Sequence, residues 1–333
     1  MKYFYKTNDI LETAIDSFFS ILNKANDEKY SGELSILLLG SLSRGEATWT
    51  YVDDRITLLS DIEFITFYPK GFSDFSAFDC DIKKAAALIE EKMGSSLFHI
   101  DNTWIKKEKI GSLERKLLIF DAQEMGVTVI GEDMKGQLPL INITNINLED
   151  IWDIIVHRIF SVLYYGSKLS HTNDCYEYRY LIAKNSLDLM TVLLVKNGRL
   201  ISGFKNRINE IKKLHISDEN VLFFEYCLSV KFGSEASGYF QVDEMIQIFI
   251  KLCEDLYNEF KIPLRNKIRN WRVILRRHAG MIKRSLIIKH ISYTRVKHLG
   301  RLLSTIKENK ELDNIDIVNN YILNGYPILQ KDK

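Results

Sequence analysis

The chain has 333 residues, 46% of them hydrophobic, and a formal net charge of +1, so its length fits two domains better than one and its overall charge points to no partner. Cys80, Cys175, Cys227 and Cys253 are scattered, with no Cys-x-x-Cys pair and no histidine at ligand spacing, which argues against a zinc site or a disulfide framework. Met1 to Lys6 lacks a signal-peptide core and no apolar run reaches membrane-spanning length, so a cytoplasmic protein is the expectation.

From Asp9 to Ala25, Ile10, Leu11, Ala14, Ile15, Phe18, Ile21 and Leu22 recur at helical spacing and predict an amphipathic helix. A strand follows over Ser35–Leu39, ending in Gly40-Ser41 and a basic turn, and a second over Asp61–Tyr68. A helix is expected near Asp81–Met93. The apolar run Leu117–Phe120, closed by Asp121, and a hairpin-like return through Gly126 to Val127–Gly131 complete an α+β half, a mixed sheet flanked by helices over 1–140. After Pro139 the pattern changes. Asn147 is a good N-cap for a helix over Ile151–Leu169, and further helical stretches run over 173–196, stopped by Asn197-Gly198, 218–230, 242–260 and much of 264–306. Glycine is sparse there and strand signatures are missing, so 141–333 reads as a helical bundle with a basic C-terminal third.

Two residues apart on a strand, Asp61 and Glu63 present their carboxylates on one face. Leu58, Leu59, Ile62, Phe64 and Ile65 flank them, and two buried like charges are costly without a cation between them; hard oxygen ligands at this spacing suit Mg²⁺. A solvated pair on an edge strand is the plainer alternative. Upstream, Gly40 and Ser41 suit a triphosphate, because glycine lets the backbone approach and its N–H groups bind phosphate oxygens. The two halves together read as a site for a metal–nucleotide complex.

Leu39-Gly40-Ser41 with Arg44, followed by Ser60-Asp61-Ile62-Glu63, resembles the signature of the nucleotidyltransferase superfamily (DNA polymerase beta-like), in wording similar to the kanamycin- and lincosamide-type antibiotic nucleotidyltransferases. The resemblance covers the first third of the chain. It departs from the family in the long gap Ala47–Ser60, read as a loop insertion that places Trp49, Tyr51, Asp53, Asp54 and Arg55 over the site. It implies a Mg²⁺-dependent nucleotidyltransferase moving an NMP from an NTP to a hydroxyl of a small acceptor, antibiotic-like or sugar-like. Asp61 and Glu63 would hold the metal, with Asp121 as third carboxylate and Glu124 a weaker candidate; Gly40, Ser41 and Arg44 would bind the phosphates. In 176–184, Lys184 would reach the triphosphate and Glu177 act as base, against the plainer reading of an ordinary ion pair. Transfer to a protein, synthesis of an oligonucleotide signal, and an inactive binding module are the alternatives.

From Lys261 to Lys310 fifteen lysines and arginines face the single acid Glu308, leaving the rest of the chain net acidic. Trp271, Ile274, Ile282 and Ile288 interleave with these cations. Peripheral contact with anionic lipid is one reading; packing against the acidic remainder is preferred, and no stable nucleic-acid partner is expected.

Overall fold

The two apolar runs that flank the Gly40 turn form the centre of one sheet. The computed structural model describes residues 2–277 apart from 53, 93–98, 148–149, 153, 156, 160, 163–175 and 234–238, and beyond residue 259 it describes backbone alone. Strand β1 (Ser35–Leu38) runs antiparallel to β4 (Ile62–Tyr68), Leu38 pairing with Phe64 and Ser35 with Phe67. Strand β5 (Ile100–Lys106) lies parallel to β4, and β6 (Val127–Ile130) antiparallel to β1, giving the order β5-β4-β1-β6 in a mixed sheet. All of β1 is buried, which is why its sequence is a continuous apolar run with no alternation.

Helix α1 (Asp9–Lys29) starts where the Asn8 side chain accepts from the N–H groups of Ile10 and Leu11, and helix α3 (Phe75–Lys92) lies beside it. Their apolar faces, carrying Leu11, Ile15, Phe18, Phe78, Ile82 and Ile89, share one buried cluster with Ile36, Leu38, Ile62 and Phe64. That face of the sheet is the core of the first compact unit, which comprises 1–147 together with 197–210 and 231–235.

Two expectations in this unit change. Ala47–Ser60 is not a plain loop: it folds into a hairpin of β2 (Trp49–Val52) and β3 (Arg55–Leu58), with Val52 paired to Arg55 and Asp54 at a φ of +61°. Aspartate is among the few residues that tolerate this left-handed turn. Leu117–Asp121 is not a strand either, but the first half of helix α4 (Leu117–Met125). Ala122, Gln123, Glu124 and Met125 continue the segment with good helix formers, and Gly126 ends it against Leu37, where an added Cβ would come 2.9 Å from the leucine side chain.

The second unit, 148–196 with 211–230 and 236–333, has helices and no strand among its described residues. Helix α5 (Tyr176–Lys196) packs with α8 (Val242–Arg277), around Ile182, Leu187, Met190, Phe249, Cys253 and Leu256. Helix α7 (Asp218–Phe232) adds Phe223 and Phe224 to the buried set. Arg179 is held by Tyr226 Oη at 2.6 Å, Tyr239 Oη at 2.7 Å and the Phe240 carbonyl at 3.0 Å. Among the described residues no helix is long and apolar enough to cross a membrane. The expected helix over 278–306, the basic residues beyond 277 and much of Ile151–Leu169 lie outside the described residues.

Candidate active site

Gly40 is where chain direction, backbone strain and a carboxylate meet. β1 ends at Leu38, and Gly40 opens a single helical turn, α2 (Gly40–Ser43), with a φ of +66°. A Cβ at this position would fall 2.1 Å from Glu63 Oε2 and 3.0 Å from its Cδ, so the Glu63 carboxylate occupies the space that any larger residue would need. The Leu39 N–H donates to the Glu63 carbonyl at 2.8 Å, which fastens the turn to β4. Ser41 is half-buried, and its carbonyl accepts from the Glu46 N–H at 2.8 Å, closing the turn on its other side.

Asp61 stands one residue before β4, half-buried like Glu63, and its Oδ1 accepts from the His99 N–H at 3.1 Å. The next strand supplies a carboxylate that the sequence reading passed over. Asp101 of β5 is the register partner of Glu63, and in a parallel pair register partners point to the same face. The available signal was the strand-like stretch Ile100–Ile105, where Asp101 and Thr103 alternate with Ile100, Asn102 and Trp104. Among the described residues no group of three or more His, Cys, Asp or Glu could by itself hold a metal ion. Asp61 and Glu63 nevertheless fit Mg²⁺, which binds through one or two carboxylates and completes its shell with water and substrate phosphates.

Arg44, expected at the phosphates, turns its guanidinium to Glu46, Nε to Oε2 at 2.8 Å, with the two side chains only 7% and 11% exposed. Burial alone would depress the Arg44 pKa; the charges of Glu46, Asp121 and Glu63 outweigh it and hold the guanidinium above its ordinary value. The other Glu46 oxygen accepts from the Phe204 N–H at 2.7 Å, at the start of helix α6 (Phe204–Ile211). A foreign carboxylate thus satisfies one of that helix's first N–H groups. Asp121 lies on α4 and accepts from Arg207 Nη2 at 3.1 Å. Arg44, Arg207 and Lys231 each set their charge 5.4 Å from the centre of the Phe204 ring. Sequence reasoning missed Glu46, Phe204, Arg207 and Lys231. Lys184 stands half-buried on α5, in the second unit.

No protein-family model matches the chain. No curated protein matches it by sequence. Among solved structures, one that matches is a spectinomycin adenyltransferase, AAD(9), from Enterococcus faecialis, with ATP and spectinomycin: it is 14% identical, with a TM-score of 0.46, over 73% of this chain and 99% of that one.

Proposed function

We propose that the chain is a nucleotidyltransferase that moves an NMP from an NTP to a hydroxyl of a small acceptor, antibiotic-like or sugar-like. One observation carries the reading: the left-handed Gly40 turn is built directly against the Glu63 carboxylate, in space that admits no side chain. A phosphate-binding backbone turn and a metal-binding carboxylate have to be this close if one ligand is to touch both.

In the proposed reaction the acceptor oxygen attacks the α-phosphorus, an O–P bond forms, the α–β anhydride bond breaks and pyrophosphate leaves. Gly40 and Ser41 offer backbone N–H groups to the leaving phosphates. Asp61, oriented by the His99 N–H, and Glu63 would hold Mg²⁺, which when bound neutralises phosphate charge. We assign Asp101 as the third carboxylate of this face, positioned by its pairing with Glu63 to accept the acceptor's proton. Arg44, committed to Glu46, contributes the field of its charge.

The test is to incubate the protein with each labelled NTP and Mg²⁺, with and without aminoglycosides, lincosamides, spectinomycin and sugars. Pyrophosphate release that depends on an acceptor supports the reading. Labelling of the protein itself, labelled oligonucleotides, or no turnover of any NTP would overturn it.

A further inference from the structure

Residues 2–6, ahead of α1, form a strap along the stretch that leaves the Gly40 turn. They run parallel to 45–49, with Phe4 bridged to Ala47. The Ala47 N–H donates to the Tyr3 carbonyl at 3.2 Å, the Tyr5 N–H to the Ala47 carbonyl at 3.1 Å, and Trp49 Nε1 to the Lys6 carbonyl at 2.8 Å. Gly45, at a φ of +67°, admits the strap so closely that a Cβ there would lie 3.0 Å from the Lys2 carbonyl oxygen. One side of the strap is fastened to α1. Tyr3 and Phe4 belong to the buried cluster, Glu12 accepts from their N–H groups at 3.1 and 3.4 Å, and Asp16 accepts from Tyr3 Oη at 2.7 Å. The other side is fastened to segments far along the chain: the Tyr5 ring stacks on Phe232 at 4.2 Å, the Lys205 ammonium stands 4.4 Å from the Tyr5 ring centre, and Lys6 Nζ donates to the Gly233 carbonyl.

The Gly40 turn is thereby tied at both ends. At its near end the Leu39 N–H donates to the Glu63 carbonyl of β4; at its far end the Glu46 N–H returns to the Ser41 carbonyl, and Ala47, the next residue, is clasped between Tyr3 and Tyr5. We infer that Tyr5 is a positioning residue: with its N–H on Ala47 and its ring on Phe232, it fixes the far end of the turn and so the direction in which Gly40 and Ser41 offer their N–H groups to phosphate. This rests on the reading of that turn as the phosphate site. Hydrogen bonds weaken steeply as the donor turns away from the acceptor, and a turn held at one end alone loses part of its binding energy to ordering itself. Glu63 sits on β4 and Asp61 directly precedes it; that strand pairs with β1 and β5 and not with the strap. The effect therefore falls on phosphate and not on the metal, whereas a role confined to holding the fold together would touch both.

Two titrations of the full chain separate the possibilities without any turnover: inorganic tripolyphosphate with Mg²⁺, followed by calorimetry, and Mn²⁺ alone, followed by water-proton relaxation. Tyr5→Ala is expected to weaken tripolyphosphate binding about tenfold, the order expected for one charge-assisted hydrogen bond, and to leave the half-saturating Mn²⁺ concentration within about twofold of the original. Tyr5→Phe keeps the ring on Phe232 and under Lys205, and is expected to match the original chain in both titrations. Unchanged tripolyphosphate affinity in Tyr5→Ala, a parallel loss of tripolyphosphate and Mn²⁺, or a Tyr5→Phe chain as impaired as Tyr5→Ala would each overturn the inference. If Tyr5→Ala does not fold, Trp49→Phe decides in its place: it removes only the indole N–H that the Lys6 carbonyl accepts, and is expected to weaken tripolyphosphate binding and not Mn²⁺ binding. Gly40→Ala separates this from the phosphate reading. If it leaves tripolyphosphate binding intact, that reading fails and the inference with it; if it abolishes binding while Tyr5→Ala titrates like the original chain, only the role of Tyr5 fails.

Discussion

Gly40 and Glu63 each occupy the room the other would need, and this makes the smallest residue in the site the least replaceable. Gly40→Ala places a side chain at a φ of +66° and drives it into the Glu63 carboxylate. A non-glycine residue in this region costs about 1–2 kcal/mol, and Glu63 must swing away, so stability falls by at least that in urea denaturation, and the proposed metal-dependent NTP turnover is expected to be lost with it. Glu63→Gln and Asp61→Asn act differently. Removing one of two adjacent charges relieves repulsion, so the melting temperature of the metal-free protein is expected to hold or rise while turnover disappears. Near-original turnover in either variant would remove the metal assignment. Gly40, Ser41, Asp61 and Glu63 were legible in the sequence because their relation is local: a turn after an apolar run, and two acids at strand spacing. Glu46 sits two residues from Arg44, yet its other partner, the Phe204 N–H, is 158 residues away. No periodicity carries a contact over that distance.

At the scale of elements, apolar runs announced the buried strands β1 and β4 correctly and misled at Leu117. A short apolar run does not separate a buried strand from a buried helix turn; the residues after it decide, and Ala122 to Met125 favour helix. Strands β2 and β3 were hidden by a two-residue turn without glycine, and β5 by its polar alternate positions. The contact between α1 and α3 yields a pH prediction. Asp81 on α3 accepts from Lys29 Nζ at 2.7 and 2.8 Å and from Tyr30 Oη at 2.9 Å. Its burial alone would raise the carboxyl pKa, but those hydrogen bonds and the charges of Lys29 and Lys84 bring it below the ordinary value. A depressed folded-state pKa stabilises the protein above the unfolded value, about 3.9, and that stabilisation is lost as the pH falls through the folded value. Asp81→Asn is therefore expected to melt lower than the original chain at pH 7. The gap should narrow as the pH is taken from 5 to 2, measured by thermal melts across that range.

For the whole molecule, an α+β unit followed by helices was readable from where strand patterns stop. What was not readable is that the first unit also takes in 197–210 and 231–235, because the pairings that tie the first of these pieces to it, Phe204 N–H to Glu46 and Arg207 to Asp121, span 158 and 86 residues. Tyr5 stacks on Phe232 at 4.2 Å and carries the Lys205 ammonium 4.4 Å from its ring centre, so three separate stretches of sequence meet at one aromatic pair. Charge is the other property of the whole chain. With the basic stretch 261–310 set against a net acidic remainder, the full chain is expected to stay in the soluble fraction of a flotation assay with anionic liposomes at physiological salt. Salt-sensitive co-flotation that vanishes on deleting 261–310 would reverse that expectation and move the acceptor towards a lipid-linked molecule.

The interrupted first unit sets an order of events during synthesis. Domains generally fold as units during synthesis, but here Glu46 and Asp121 emerge long before Phe204 and Arg207, each of which donates a hydrogen bond to one of them. The nascent sheet, with α1 and α3 already able to cover one face, waits for these two donors until residue 207, and for Lys231 until later still. Chains released after residue 147 are thus expected to be cut rapidly by protease, whereas chains released after residue 235 are expected to resist. The closing of the candidate site is timed by translation of a segment that contributes none of its carboxylates.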